Sequence, residues 1–451
     1  MGVPLEVENV RPKGWGVRHT QTLLLFIGML LAFSMRVNMS MAIVDMTDMH
    51  STNENTTDVD TTSNNFTETN ITHLEENRGV HFDWDHQKKT VILSSFFWGY
   101  VILQIPGGEL AKRLGGKILI TISIVVNSLI SFVLPISAVI GGWKFVIFWR
   151  VLQGLTQAFV YPSMHHLVSQ WIPQEEKGRL STIIYAGGQL GLAIQLIASG
   201  FIATAWGWQA IFYTNGILGL IWTGAYFYLG SQSPEASKLI SKEELAYIQT
   251  SLGRVGKQKK YPTPYKKIAL CLPFWAAVIA HCGQNWGFFT LMTEMPSYMS
   301  DVLQFKLAKN GMLSSLPYLA MFLLSFPMGS MTDLIIRRNW LSVSNTRKLF
   351  NSIGLWGPAL ALIGLSLSPS SMYWLPVVML IISVGINAGQ FTGFMTNAQD
   401  WHKVFYLAAG IYFFTNLFFI LFTTSTRQAW NEPEVDPDIE KRTRQKSNSI
   451  H

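Results

Sequence analysis

Apolar stretches of about 20 residues, the length of helix needed to cross a hydrocarbon core, recur along most of this chain. Within lipid every backbone N–H and C=O must find a partner inside its own segment, so stretches this long predict helices. The expected spans lie near 23–44, within 94–117, and near 117–140, 143–168, 180–204 and 209–230, then near 270–291, 312–334, 349–367, 374–395 and 404–424. That is eleven crossings, and no stretch long enough for an ordinary soluble domain remains. Only 14% of the residues are charged, against about 25% in soluble domains, which points the same way. The chain is therefore expected to be an all-α, multi-pass membrane protein whose solvent is the lipid bilayer. A net charge of +7 does not argue for nucleic acid, because the basic residues lie between the spans, where they report orientation. Cys271 and Cys282 fall within one expected span, so neither a disulfide framework nor a metal site is predicted. Arg11, Lys13 and Arg18 precede the first span, which continues without a small-residue cleavage site and so reads as a retained helix.

Several spans carry polar groups that lipid would not reward. In the second, SSFFWGYVILQIPGGELAKRLGGK (94–117), Trp98, Tyr100 and Gln104 sit in apolar text, followed by a Pro106-Gly107-Gly108 bend and then Lys112, Arg113 and Lys117. Trp98, Tyr100 and Gln104 are expected to face a protein-lined interior. Arg36 lies roughly 20 Å along the first span at 1.5 Å per residue, followed by Asn38 and Ser40. An intramembrane guanidinium is expected to face a cavity and bind an anion; the alternative is a side chain snorkelling to the far interface. Along the fourth span, Arg150, Gly154, Gln157, Tyr161 and His165 recur at intervals of four, three, four and four, which puts them on one helical stripe facing a pore or a partner helix. Pro162 removes a backbone hydrogen bond and is expected to bend that helix. Gly154 is expected to permit close helix contact, as are Ala186, Gly187, Gly188 and Gly191 in the fifth span.

The loop 46–89 is polar, holds nine acids against three Lys/Arg, and carries glycosylation sequons at Asn55, Asn65 and Asn70, which predict a lumenal or extracellular face and a cytoplasmic N-terminal tail, 1–17. From 231 to 267, eight Lys/Arg stand against three acids, and this longest internal break reads as a cytoplasmic linker, 231–269, between an N-terminal bundle, 18–230, and a C-terminal bundle, 270–425, with a polar tail, 426–451. The second half echoes the first: FPMGSMTDLIIRR (326–338) repeats the Pro, Gly and basic residues of IPGGELAKR (105–113). Two six-helix halves related by weak internal similarity suit a carrier that opens to one side at a time.

At these motifs the chain resembles the major facilitator superfamily, and within it the anion-transporter family of sialin, the vesicular glutamate transporters and the type I sodium/phosphate cotransporters. The matching text is Arg36-Val37-Asn38 with Ala42-Ile43-Val44, Phe96-Phe97-Trp98-Gly99-Tyr100 with Gln104-Ile105-Pro106-Gly107-Gly108, Gln153-Gly154 with Tyr161-Pro162 and His165, and Asn285-Trp286-Gly287-Phe288. It looks most like the insect branch labelled as inorganic phosphate cotransporters. The resemblance implies that Arg36 helps bind an anionic substrate, that Tyr100 lines the central cavity, and that Arg150 and His165 belong to a coupling and gating network. Gln284 and Asn285 are expected to support the substrate, and Gln157, Lys112, Arg113 and Asp333 stand at coupling or gating positions.

Four departures from the family pattern stand out. Proton-linked relatives are expected to carry Glu where Gln157 stands. The glutamate transporters have a second arginine where Gln284 stands and a histidine near Leu93. The wider superfamily has Asp where Lys112 stands, while Asp333 keeps it in the second half. Finally, the family has twelve spans against the eleven counted here: after Asn397 the chain passes directly to Trp401 and the last span, as though the penultimate helix were missing. An odd count would put Lys441, Arg442, Arg444 and Lys446 on the outer side, against the positive-inside tendency.

The expectation is a secondary-active transporter of a small anion, inorganic phosphate or an organic anion, working by alternating access as a monomer in a plasma, vesicle or lysosome membrane. Sodium is the expected coupling ion, no cofactor is expected, and no catalytic set marks an enzyme. Two alternatives are a proton-coupled sialin-like carrier and a non-transporting truncated form that acts as an interaction partner.

Overall fold

The computed structural model describes Pro12 and residues 14–47, 80–173, 175–252, 272–301, 303–366 and 374–389. The expected last span, 404–424, the three sequons and the stretch after Gln390 lie outside the described residues. The described residues form helices throughout: α1 (Val17–Thr47), α2 (His86–Leu114), α3 (Gly116–Gln157), α4 (Val160–Trp171), α5 (Lys177–Trp206), α6 (Trp208–Leu229), α7 (Lys242–Ser251), α8 (Leu272–Asp301), α9 (Leu307–Arg337), α10 (Val343–Ser366) and α11 (Trp374–Ile386).

Local chemistry sets the helix ends and breaks. The Asp85 side chain accepts the Lys88 N–H at 2.8 Å and starts α2. Its own break falls at Ile105–Pro106, where the two parts of α2 meet at 56°. The expected third and fourth spans are drawn together into one long helix, α3, with Gly142 inside it at φ 59° and ψ −156°. That left-handed conformation suits a residue without a Cβ, and it turns the chain back on itself between two crossings. The fourth crossing breaks again at Ala158–Phe159, four residues before Pro162, whose missing N–H leaves the Ala158 carbonyl without its helical partner.

Burial is arranged for lipid rather than water. Side chains such as Ile140, Ile221, Phe227, Trp356 and Leu360 point outward and are exposed, as acyl-chain contact requires. By contrast every residue of α1 from Leu31 to Met46 is buried, so this helix is surrounded by protein over its C-terminal half. It packs along α5 and α6, and α2 packs along α3. Room for these contacts comes from small residues: a Cβ on Gly99 would lie 2.0 Å from the Val151 carbonyl oxygen, and one on Gly191 2.3 Å from that of Leu30. The two halves of the chain meet where α1 faces α8 and where α5 crosses α9. At that crossing a Cβ on Gly311 would lie 2.5 Å from the Leu196 carbonyl oxygen and 3.1 Å from the Gly200 Cα, so the helix backbones themselves touch.

The break after α6 is not featureless. Ser241 caps α7 by accepting the Glu244 N–H at 3.1 Å, and the Glu244 carboxylate reaches the start of α1. It accepts the backbone N–H groups of Val17 at 2.9 Å and Arg18 at 3.1 Å, together with Arg18 Nη1 at 2.9 Å. Glu176, between α4 and α5, accepts Arg18 Nε at 3.0 Å. An acidic group at a helix N-terminus meets free N–H donors and the positive end of the dipole, so this buried triad ties α1 to the segment joining the halves.

Candidate functional site

Arg36 is the centre of the site. Its residue is 1% exposed, which removes the snorkelling alternative: the guanidinium lies inside the protein and not at a headgroup. Four aromatic rings surround it, with centroids 4.6 Å (Phe33), 4.7 Å (Tyr100), 5.3 Å (Phe96) and 5.8 Å (Phe289) from Cζ. Phe33 stands three residues before Arg36 on α1, Phe96 and Tyr100 stand four apart on α2, and Phe289 comes from α8, so both halves contribute. Face-on rings stabilise a cation by cation–π attraction but accept no hydrogen bond in the plane of the guanidinium. Among the described residues the one side-chain bond to it is from Nε to Gln157 Oε1, at 3.3 Å. Nη1 and Nη2 are buried and have no hydrogen-bond partner among the described residues.

Arg150 lies beside this cage, also 1% exposed, with Cζ 4.9 Å from the centroid of the same Phe96 ring. Its Nη1 donates to Gln153 Oε1 at 3.2 Å and its Nη2 to the Arg36 carbonyl at 3.5 Å, while Nε has no partner among the described residues. Gln157 donates from Nε2 to the Ala32 carbonyl at 3.1 Å and to Asn127 Oδ1 at 3.4 Å. Neither arginine is ion-paired among the described residues, so two buried guanidinium groups share one ring with only neutral amides on them.

The fourth-span stripe holds in space. Gly154 brings α2 against α3 so closely that a Cβ there would lie 1.9 Å from the Phe96 carbonyl oxygen, and this is what lets Phe96 and Tyr100 reach Arg36. Tyr161 meets Phe33 edge-on at 6.1 Å and stacks on His165 at 6.1 Å. His165 Nδ1 and the Tyr185 hydroxyl of α5 are hydrogen-bonded. The stripe therefore runs from the arginine cage to a His–Tyr pair on α4 and α5.

Other expected site residues fall elsewhere. Tyr100 and Gln104 are buried as expected, whereas Trp98 is only half-buried. The Gln284 carboxamide bonds Asn387 on both sides: Nε2 donates to Asn387 Oδ1 at 2.6 Å and Oε1 accepts from Asn387 Nδ2 at 2.9 Å, joining α8 to the end of α11. Asn285 is half-buried one turn before Phe289. Lys112 and Arg113 are exposed at the end of α2, away from the cage, with Arg113 Nε on Glu109 at 3.1 Å. The side chain of Asp333 lies outside what the structure describes. Sequence reasoning did not single out Phe33, Phe289, Asn127 or Asn387; Phe33 was within reach of it, because i−3 on a helix shares a face with Arg36.

Helices of lipid-crossing length around a buried arginine pair, with a ring supplied by the second half, suit a polytopic membrane carrier rather than a soluble binding module. Over residues 24–400 the chain matches the model of the Major Facilitator Superfamily. It is 35% identical over 475 aligned positions to the "Putative inorganic phosphate cotransporter" of Drosophila melanogaster, covering 95% of this chain and 89% of that one. It is 34% identical to sialin of Homo sapiens, covering 92% of this chain and 90% of that one. Against vesicular glutamate transporter 2 of Mus musculus identity is 27%, with 96% and 80% covered. Among solved structures, a D-xylose–proton symporter superposes with a TM-score of 0.58 at 14% identity over 88% of each chain, a likeness of fold alone. The chain belongs to the anion-transporter family of the major facilitator superfamily. It is accordingly a multi-pass membrane transporter and not an enzyme.

Proposed function

We propose that this protein moves a small anion, inorganic phosphate or an organic anion, across its membrane by alternating access, with Arg36 as the substrate ligand. The observation that carries this reading is the buried Arg36 guanidinium whose Nη1 and Nη2 meet no acceptor among the described residues, inside a cage built by both halves of the chain. An unmet charge costs several kcal/mol, roughly, in a medium this apolar, and an anion seated in plane with the fork removes that cost. The names carried by the relatives, phosphate cotransporter, sialin and glutamate transporter, support the same cargo class. Sodium is the coupling ion in this reading: Gln157, hydrogen-bonded directly to Arg36, is an amide and takes up no proton.

The test is uptake of labelled phosphate and of organic anions into proteoliposomes, first with an inward sodium gradient and then with a proton gradient. Sodium-driven uptake that is lost in Arg36→Ala is the expected result. Uptake driven by protons alone would overturn the sodium assignment, and transport intact in Arg36→Ala would remove the ligand assignment.

A second reading, a non-transporting partner of a longer copy, is favoured by one observation. The alignment to the Drosophila melanogaster relative takes 475 positions, more than the 451 residues of this chain, so that relative holds inserted residues. In this reading those residues include a penultimate helix that the chain lacks near Asn397. Transcript reads that join Asn397 to a further hydrophobic helix, with uptake only from the longer product, would favour it over a working carrier.

A further inference from the structure

We infer that the central site selects divalent over monovalent anions, because among the described residues it holds two buried positive charges and no negative one; this rests on the anion-carrier reading above. Arg36 and Arg150 both lie over the Phe96 ring, at 5.3 and 4.9 Å, and both are 1% exposed. Among the described residues the groups that face them are neutral: Phe33 and the Ala32 carbonyl of α1, Phe96 and Tyr100 of α2, Gln153, Gln157 and Asn127 of α3, Tyr161 of α4, and Phe289 of α8. Gln157 is held as an amide, since its Nε2 donates to two acceptors, Ala32 O and Asn127 Oδ1, where a carboxylate would meet oxygen with oxygen.

Two like charges in one apolar cage repel, and in low dielectric that repulsion is not screened as it is in water. A singly charged anion cancels one of them and leaves a net buried cation. A doubly charged tetrahedral oxyanion, such as hydrogen phosphate or sulfate, cancels both. It also supplies several acceptor oxygens for the three donors left over, Arg36 Nη1, Arg36 Nη2 and Arg150 Nε. Opposing this, a dianion is harder to strip of water. That hydration cost belongs to the free anion and is the same for every variant of the protein, so a change in preference between variants isolates the charge of the site.

The test uses the purified full chain in lipid nanodiscs, with labelled sulfate as the probe and methyl sulfate, its monomethyl ester with one charge fewer, as the competitor. The expected result is that sulfate binds at least about tenfold tighter than methyl sulfate, and that this ratio falls by about tenfold or more in Gln157→Glu, which puts a carboxylate on Arg36. If that carboxylate disturbs folding against Ala32 O and Asn127 Oδ1, Arg150→Gln removes one positive charge by itself and is expected to lower the ratio in the same way. Equal displacement by both anions in the wild type, or a preference for sulfate that neither variant alters, would overturn the selectivity while leaving an anion site in place. Absence of any sulfate, methyl sulfate or phosphate binding would overturn this inference and the anion-carrier reading together.

Discussion

Arg36 Nε donates to Gln157 Oε1 at 3.3 Å, so the guanidinium is anchored by one corner to α3 while Nη1 and Nη2 remain open. This separates the part of the side chain that orients it from the part that can hold a ligand. A lysine ammonium has no such division: it is a point charge without the planar fork. Arg36→Lys is therefore expected to keep the protein folded and in the membrane but to weaken anion binding by at least about tenfold, read as a rise in the half-saturating phosphate concentration.

Gly154 sets the distance between α2 and α3. Gly154→Leu would drive its side chain into the Phe96 backbone and is expected to destabilise the bundle by roughly 1–3 kcal/mol or more, seen as a lower melting temperature in detergent. Gly224→Ala, where a Cβ meets nothing within 4 Å, is the control and is expected to leave that temperature unchanged.

The Glu244 carboxylate serves two backbone N–H groups and the Arg18 guanidinium, all at the start of α1. Glu244→Ala strips the helix of that cap while Glu176 still holds Arg18, so a loss of about 2 kcal/mol is expected. Thermal unfolding measures it, and Glu244→Gln, which can accept but carries no charge, is expected to restore part of it.

Where α5 crosses α9, the Gly200 and Gly311 backbones touch. Gly311→Leu is expected to wedge the halves apart at the end that bears the α5–α6 turn. With both native cysteines replaced, a Ser199→Cys reporter, fully buried in this arrangement, should then label with a membrane-impermeant maleimide from that side. Unchanged labelling would mean that this crossing does not close the path.

Much of the fold can be read from the sequence because lipid imposes a length on every crossing: the apolar runs at 23–44 and 180–204 lie within α1 and α5, and the run at 209–230 overshoots the end of α6 by one residue. The stripe of Arg150, Gly154, Gln157, Tyr161 and His165 was legible for the same reason, since helical period alone puts those residues on one face. The aromatic cage was not. Phe289 reaches Arg36 from more than 250 residues away in the chain, and nothing in local period announces a partner on another half. Nor does local period announce that the Gln284 carboxamide, whose place in the motif suggested a ligand, is bonded on both sides by Asn387. The helix α7 in the basic break was also unread, although Ser241 and Glu244 have the spacing of a capping pair.

The glycine at 142 turns the chain between two membrane crossings within a single residue at φ 59°. A side chain there would strain that turn, so a substitution at this one position is expected to loosen the pairing of the two crossings it joins.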